Sequence, residues 1–354
     1  MKTPVAEISV NGVPVASLFN ERLISVTITD KEGVTSDTIA CELNDGNPFA
    51  AIPRKGDIIT ARLGYRETGV LFFGAYTADD PQVHCLPYKL SVNGKGTDMR
   101  KTPKQHGARY WDKKTVKDIV TDIAKDHGWT AKVDGKVAGY KYEWFGQEDE
   151  SGIHVIERLA RRHGALFTVK NGMLIFAAKG SGKAASGAAL TAVTATPDNI
   201  VEGTCQATFQ HRNSFKKVKA HAQDRKTAAR VDVEEDSDDD GEADYTLPEA
   251  YVDEDEAKKA AKAKAKDLKA ETIRTSVTLF GDPSIRAGAP LVYAGVRPEL
   301  DGIPFIIETA THTLNKSGYT TQVEAKLGDD GEGGGSAAKT GGDEPEGGET
   351  GDDD

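Results

Sequence analysis

The chain has few cysteines, no long apolar runs and none of the common signatures of catalysis. Its three cysteines, Cys41, Cys85 and Cys205, are odd in number and far apart in 354 residues. No Cys-x-x-Cys or other zinc spacing exists, so these residues read as buried, structural thiols of a protein made in a reducing cytosol. No stretch approaches the roughly 20 apolar residues of a membrane span, which predicts no integral membrane segment. Met1-Lys2-Thr3-Pro4-Val5-Ala6-Glu7 has one lysine and no apolar core, so it does not read as a signal peptide. No basic run points to sequence-specific nucleic-acid binding.

Nucleotide, acyl-transfer and metal chemistry are missing too. Lys179-Gly180-Ser181-Gly182-Lys183-Ala184 imitates a phosphate loop, but Ala177 replaces its first glycine and Ala184 its magnesium-binding hydroxyl. There is no Gly-x-Ser-x-Gly elbow. The eight histidines, at 84, 106, 127, 154, 163, 211, 221 and 312, never form His-Glu-x-x-His. His127 and His163 each precede a helix-stopping glycine, where a donor serves terminal carbonyls. Asp236 to Gly241 lacks the spaced ligands and closing glutamate of a calcium loop. Glu143, Glu148, Asp149 and Glu150 are the carboxylates a glycosidase reading would use, but acids ahead of a helix also favour its dipole. The sequence therefore names no catalytic, cofactor-binding or metal-binding residue, and predicts no cofactor.

Charge is present, and it is unevenly placed. The net charge is −11, yet 232–244 carries nine acids and no base, and 328–354 carries ten acids and Lys339. Each segment is −9, which leaves the remainder at +7. The body is mildly basic with two acidic appendages, whose simplest role is solubility through repulsion.

Residues 1–100 read as antiparallel β. Val5 to Val10 meets an Asn11-Gly12 hairpin turn, and Leu23 to Asp30 alternates Ile24, Val26 and Ile28 with Ser25, Thr27 and Thr29. Asp37–Leu43, Asp57–Tyr65, Val70–Thr77 and Tyr88–Val92 continue the pattern, as in a small barrel or sandwich. Residues 101–180 form an α/β middle segment. Val116, Ile119, Val120, Ile123 and Ala124 mark one helix face, with Thr115 and Asp118 as its capping box. A second helix is capped by Ser151 and stops at Gly164; a hairpin through Asn171-Gly172 follows. The two helices end alike, in His127-Gly128 and His163-Gly164, as a duplicated helix–strand unit would. The three tryptophans, Trp111, Trp129 and Trp144, are expected to pack these helices.

Residues 181–198 read as a linker and 199–327 as a second β region, interrupted over 223–272 by an acidic loop and an Ala/Lys-rich helix. Residues 328–354 read as a disordered, acidic, Gly-rich tail. The two β regions correspond. Lys55-Gly56-Asp57, Leu63-Gly64 and Gly69-Val70-Leu71-Phe72 match Ala287-Gly288-Ala289, Ala294-Gly295 and Gly302-Ile303-Pro304-Phe305. The fold class is thus α+β, mainly β: two related small antiparallel β-barrels, an α/β middle segment and an Ala/Lys-rich helix.

Gln147-Glu148-Asp149-Glu150-Ser151-Gly152-Ile153 running to Arg158-Leu159-Ala160-Arg161-Arg162-His163-Gly164 resembles the phage late-control protein D family, with Gly152 where that pattern usually has Asp. Gly281-Asp282-Pro283, Gly288, Asp301-Gly302, His312-Thr313-Leu314 and Gly318-Tyr319-Thr320-Thr321 extend the resemblance over roughly 5–327. The family includes contractile-tail baseplate hubs and resembles the N-terminal hub part of VgrG spike proteins. It implies a structural, non-enzymatic homotrimer whose six barrels adapt a sixfold tail tube to a threefold spike. The implied partners are the tail spike trimer, the tail tube protein, the tape measure and other baseplate proteins. Assembly would occur in the host cytoplasm, with the protein residing in the baseplate of a virion or tail-like particle. The spike would be a separate protein, and 232–244 would face the tube lumen. The competing readings are a tail-associated peptidoglycan-degrading enzyme and a carbohydrate-binding β module.

Overall fold

The computed structural model describes residues 2–15, 19–33, 36–96, 106–170, 172–179, 190–210, 214–223, 229–237 and 241–328. The chain starts with β1 (Pro4–Val10) and β2 (Val13–Pro14), joined by Asn11 and Gly12 at φ 50° and 79°. Two successive positive φ values twist the hairpin in the strand's own sense, which is why Asn-Gly serves here. After α1 (Phe19–Arg22) come β3 (Leu23–Lys31), β4 (Thr38–Asn44), β5 (Ile58–Tyr65), β6 (Gly69–His84) and β7 (Lys89–Gly96). Val26, Ile28, Ile39, Cys41, Ile59, Leu63 and Leu90 are buried among them, one face of each alternating strand.

The middle segment is built from two similar strand–helix–strand units. The first is β8 (His106–Thr115), α2 (Val116–Asp126) and β9 (Thr130–Val133), followed by α3 (Gly135–Ala138). The second is β10 (Lys141–Ser151), α4 (Gly152–Arg162) and β11 (Ala165–Lys170), followed by β12 (Met173–Ala178). β8 pairs antiparallel with β10, while β9 and β11 flank β12. In each unit the last strand residue caps the helix: Thr115 accepts from Asp118 N and Ser151 from His154 N. Gly128 and Gly164 end the two helices at φ 71° and 59°. The five apolar positions of α2 are fully buried, and each valine or isoleucine among them contributes roughly 1.5–3 kcal/mol.

The rest comprises β13 (Val193–Ala195), β14 (Gln206–Phe209), β15 (Phe215–Gln223), β16 (Arg230–Asp236), β17 (Ala243–Tyr251), α5 (Glu254–Ala270), β18 (Ile273–Phe280), β19 (Pro290–Tyr293), β20 (Pro304–Asn315) and β21 (Gly318–Leu327). The chain is mainly β. The two β regions have two apolar cores, the first of which also takes in Leu314 and Tyr319 of β20 and β21, and they are hydrogen-bonded into one continuous sheet because β20 pairs with β3. Their correspondence is structural. Gly56 and Gly288 have φ 96° and 85°. Gly56 N donates to Ala78 O, and Ala78 N to Asp57 O; Gly288 N donates to Ile307 O, and Ile307 N to Ala289 O. The same left-handed glycine thus opens the same two-bond bridge in both modules. Only glycine adopts this φ without penalty.

Three expectations change in the structure. The linker 181–198 contains a strand, β13, paired parallel with β19; residues 181–189 lie outside the described residues. β15, expected to continue the second β region, forms its own sheet with β16 and β17 under α5. Its inward residues Val218, Ala220 and Ala222 are small enough to meet Ala257, Ala260, Ala261 and Ala265 of the helix. The expected acidic loop at 232–244 is largely strand. Lys217 and Lys219 of the central strand lie between the acidic neighbours, binding Glu234 and Asp244. That pairing answers the self-repulsion that argued for a loop. Residues 238–240 and the tail beyond Gly328 lie outside the described residues.

Candidate functional site

Among the described residues no three His, Cys, Asp or Glu side chains gather as a metal would require. The four carboxylates of the glycosidase reading all lie on β10. Glu143, Glu148 and Asp149 are exposed. Glu150 is ion-paired with Arg158, which also donates to Gly146 O at 2.6 Å and lies over the Phe145 ring. Trp111 is buried as expected, but Trp144 is half-exposed and lies across Gly146 at the rim of a cleft of about 580 Å³. The phosphate-loop imitation beyond Lys179 lies outside the described residues; Lys179 itself binds Asp267 at 2.6 Å.

The histidines serve differently from the sequence expectation. The backbone N–H groups of His127 and His163, not their rings, bond the terminal helix carbonyls. Burial pushes His163 down to about 4, so it is neutral, and its Nε2 lies 2.8 Å from Tyr142 Oη. His127 occupies the space before Gly152, where a Cβ would come within 3.0 Å of its Nε2. The glycine at 152, the one departure from the late-control pattern, is therefore matched by a ring filling that space.

Three buried polar clusters tie the modules together. In the first, Lys170 of β11 binds Asp30 of β3 at 2.5 Å and Asp37 at 3.1 Å, while Asp30 also accepts from Ala287 N. Burial, with Asp30 beside it, raises Asp37 to about 6. Burial alone would lower Lys170, but the two carboxylates hold it above its ordinary value. In the second, Glu256 of α5 is fully buried and accepts from Tyr142 Oη at 2.6 Å, Arg162 Nη1 at 3.0 Å and Val252 N at 2.9 Å. This cluster fastens the α5 layer to the middle segment. In the third, His312 of β20 bonds Tyr319 Oη at 2.9 Å and Ile285 O at 3.1 Å beneath Phe73. Burial, with Arg286 nearby, pushes His312 down to about 4. Tyr65 donates to Gly281 O, and Arg286 covers Phe73, so this cluster joins the two β regions.

In the sequence, Arg162, His312 and Tyr319 stand out only as parts of the family resemblance and none of these residues reads as a member of a buried polar cluster, though a signal exists. Asp30 continues the buried register of Val26 and Ile28, His312 sits between Ala310 and Leu314, and Glu256 precedes Ala260 by one helical turn. A charge in register with apolar residues marks a paired, buried group.

The surface carries the other feature. Phe49, Ile52, Val83, Leu86 and Tyr88 are exposed on the first β region, Leu86 at 81%, and Phe49 packs edge-on against Tyr88. Leu71, Phe72 and Phe280 are exposed near the junction of the two β regions. Apolar groups grouped in this way mark surfaces for protein contact.

Comparison with known proteins decides the family. Residues 72–318 match the phage tail baseplate hub (GPD) family. The chain belongs to the phage tail baseplate hub family. A protein of Escherichia phage 186 described as "Probable baseplate hub protein" is 29% identical over 92% of this chain and 94% of its own. The 43 kDa tail protein of prophage MuSo2 from Shewanella oneidensis shares the fold at TM-score 0.67 and 15% identity, covering 91% of this chain and 98% of that one. The c3393 protein of E. coli, described as a component of the type VI secretion system, shares it at TM-score 0.54 and 12% identity, over 91% and 77% of the two chains. Family membership makes this hub protein a component of a phage tail baseplate or tail-like particle. No helix among the described residues is long and apolar enough to cross a membrane.

Proposed function

We propose that the chain acts as a non-enzymatic homotrimer, a symmetry adapter between a sixfold tail tube and a threefold spike. The observation that carries this reading is the twin bridge at Gly56 and Gly288. One chain holds two modules of like construction, so three chains present six similar units to a tube and three identical chains to a spike. The exposed apolar residues around Leu86 and Phe280 suit the contacts such a ring requires. In the ring, the tube protein binds one face and the spike trimer the other, while the tape measure and further baseplate proteins attach around it. Assembly takes place in the host cytoplasm. The acidic strands β16 and β17, turned to the lumen, would repel passing DNA.

Mixing the purified chain with a candidate spike tests this directly: three hub chains per spike trimer support it, and any other ratio refutes it. Incubation with purified peptidoglycan addresses the enzyme reading. The expectation is no release of muropeptides, and release by the wild type but not by a Glu148→Gln, Glu150→Gln variant would reverse it.

A further inference from the structure

Trp144 lies outside the helix packing that the sequence predicts for it. It stands on the solvent face of β10, 41% exposed, at the rim of the cleft of about 580 Å³. That volume is within the range of sites for small ligands. The cleft runs between β10 and α4 on one side and the ends of β15 and β17, at Gln223 and Tyr251, on the other. The orientation of the indole is built in. Its six-membered ring lies across Gly146, where a Cβ would come within 2.5 Å of Cη2, so a side chain at 146 would push the ring aside. An indole fixed in this way and still half-exposed is a preformed aromatic surface. Phe145 and Tyr251 line the cleft too, but Arg158 covers the first ring and Arg162 the second.

Polar groups with bonding capacity surround Trp144. Glu148 and Gln223 are exposed, and their side chains make no bond among the described residues. Arg158 bonds Gly146 O and Glu150 through Nη2, so Nε and Nη1 keep donors for a ligand. The charges of the lining balance, Glu148 and Glu150 against Arg158 and Arg162. An acidic or basic ligand would call for an unbalanced lining, and an apolar one for a drier cleft. A neutral polyol meets both conditions. Its C–H face packs on the indole, while its hydroxyls donate to the carboxylate and accept from the amide and guanidinium.

We propose that this cleft binds a pyranose unit of a neutral oligosaccharide, stacked on Trp144. Cell-wall glycan and surface polysaccharide carry the same chemistry. The inference concerns binding without cleavage, and it does not rest on the trimer.

Fluorine NMR of the full chain labelled with fluorotryptophan tests it. The three tryptophans give three resonances, Trp144→Phe identifies the one that matters, and buried Trp111 is an internal reference. The probes are the tetramer of N-acetylglucosamine and maltohexaose. Saturable movement of the Trp144 resonance alone is expected with at least one of them. A response to the first assigns the cleft to cell-wall glycan, and a response to the second to hexose polysaccharide. A Glu148→Ala, Gln223→Ala variant, altered only at exposed positions, should bind at least about fivefold more weakly. No movement with either probe would overturn the proposal, as would an unchanged affinity in that variant or equal movement of Trp111. A response confined to a peptidoglycan stem peptide would also overturn it, and would make the cleft a peptide site.

Discussion

Replacing Glu256 by glutamine changes one charge in a site without water access. The carboxylate accepts three hydrogen bonds, from Tyr142, Arg162 and Val252 N. An amide keeps one good acceptor and turns its NH2 toward a donor. Arg162, whose side chain is only 13% exposed, then keeps only Glu249 at 3.5 Å as a counter-charge. Breaking one side of a buried ion pair costs about 3–5 kcal/mol. At roughly 2 °C per kcal/mol for a chain of this size, the melting temperature should fall by about 6–10 °C. Thermal and urea unfolding followed by circular dichroism measure this. The double variant Arg162→Met, Glu256→Met should recover at least about 1 kcal/mol over the worse single variant, because no orphaned charge remains. A Glu256→Gln protein within about 1 kcal/mol of wild type would refute the reasoning.

His312 and His163 are held neutral by burial, each with a folded pKa of about 4, below the unfolded value near 6.5. The folded state then binds fewer protons, so their contribution is present above about 6.5 and lost as pH falls toward 4. Asp37 acts oppositely: its folded pKa of about 6 exceeds the ordinary 3.8, so its contribution is present below about 4 and lost as pH rises through 6. Urea midpoints between pH 4 and 7 should therefore change slope in opposite directions for His312→Asn and Asp37→Asn; parallel curves would contradict both assignments. Gly281→Ala should cost at least about 1–3 kcal/mol, since its Cβ would overlap the Tyr319 ring; an unchanged melting temperature would contradict that. Iodoacetamide should label exposed Cys85 readily and spare Cys41, whose thiol burial pushes up to about 12, until the chain unfolds. Phe49→Ser with Leu86→Asp should weaken self-association by more than about 2 kcal/mol per contact while leaving unfolding unchanged. A full-strength oligomer would move the contact elsewhere.

Periodicity was legible wherever one face is apolar and the other polar. The faces of α2 and α4, the cap at Thr115 with Asp118, and the strands β1, β3, β4 and β5 follow the pattern of their residues closely. At the start of β3 the pairing slips between Leu23 and Ser25, so Leu23 is buried and Ile24 only half so. No alternation predicts that slip. β8 and β10 were not visible because their charged residues, from Arg109 to Lys114 and from Glu148 to Glu150, line solvent-facing positions. β16 was hidden by its acids, whose partners Lys217 and Lys219 stand on a different strand. The polar clusters at Asp30, Glu256 and His312 each join side chains far apart in sequence. One residue of each was conspicuous, but its partners became visible only through the fold.

The central claim is that three of these chains form one ring. Light scattering on the purified protein, alone and with a candidate spike, measures it most directly. The account predicts three times the 37.9 kDa chain mass for the protein alone, or that mass plus the mass of the spike trimer once the spike is added. A monomer that keeps its mass in the presence of the spike would contradict it.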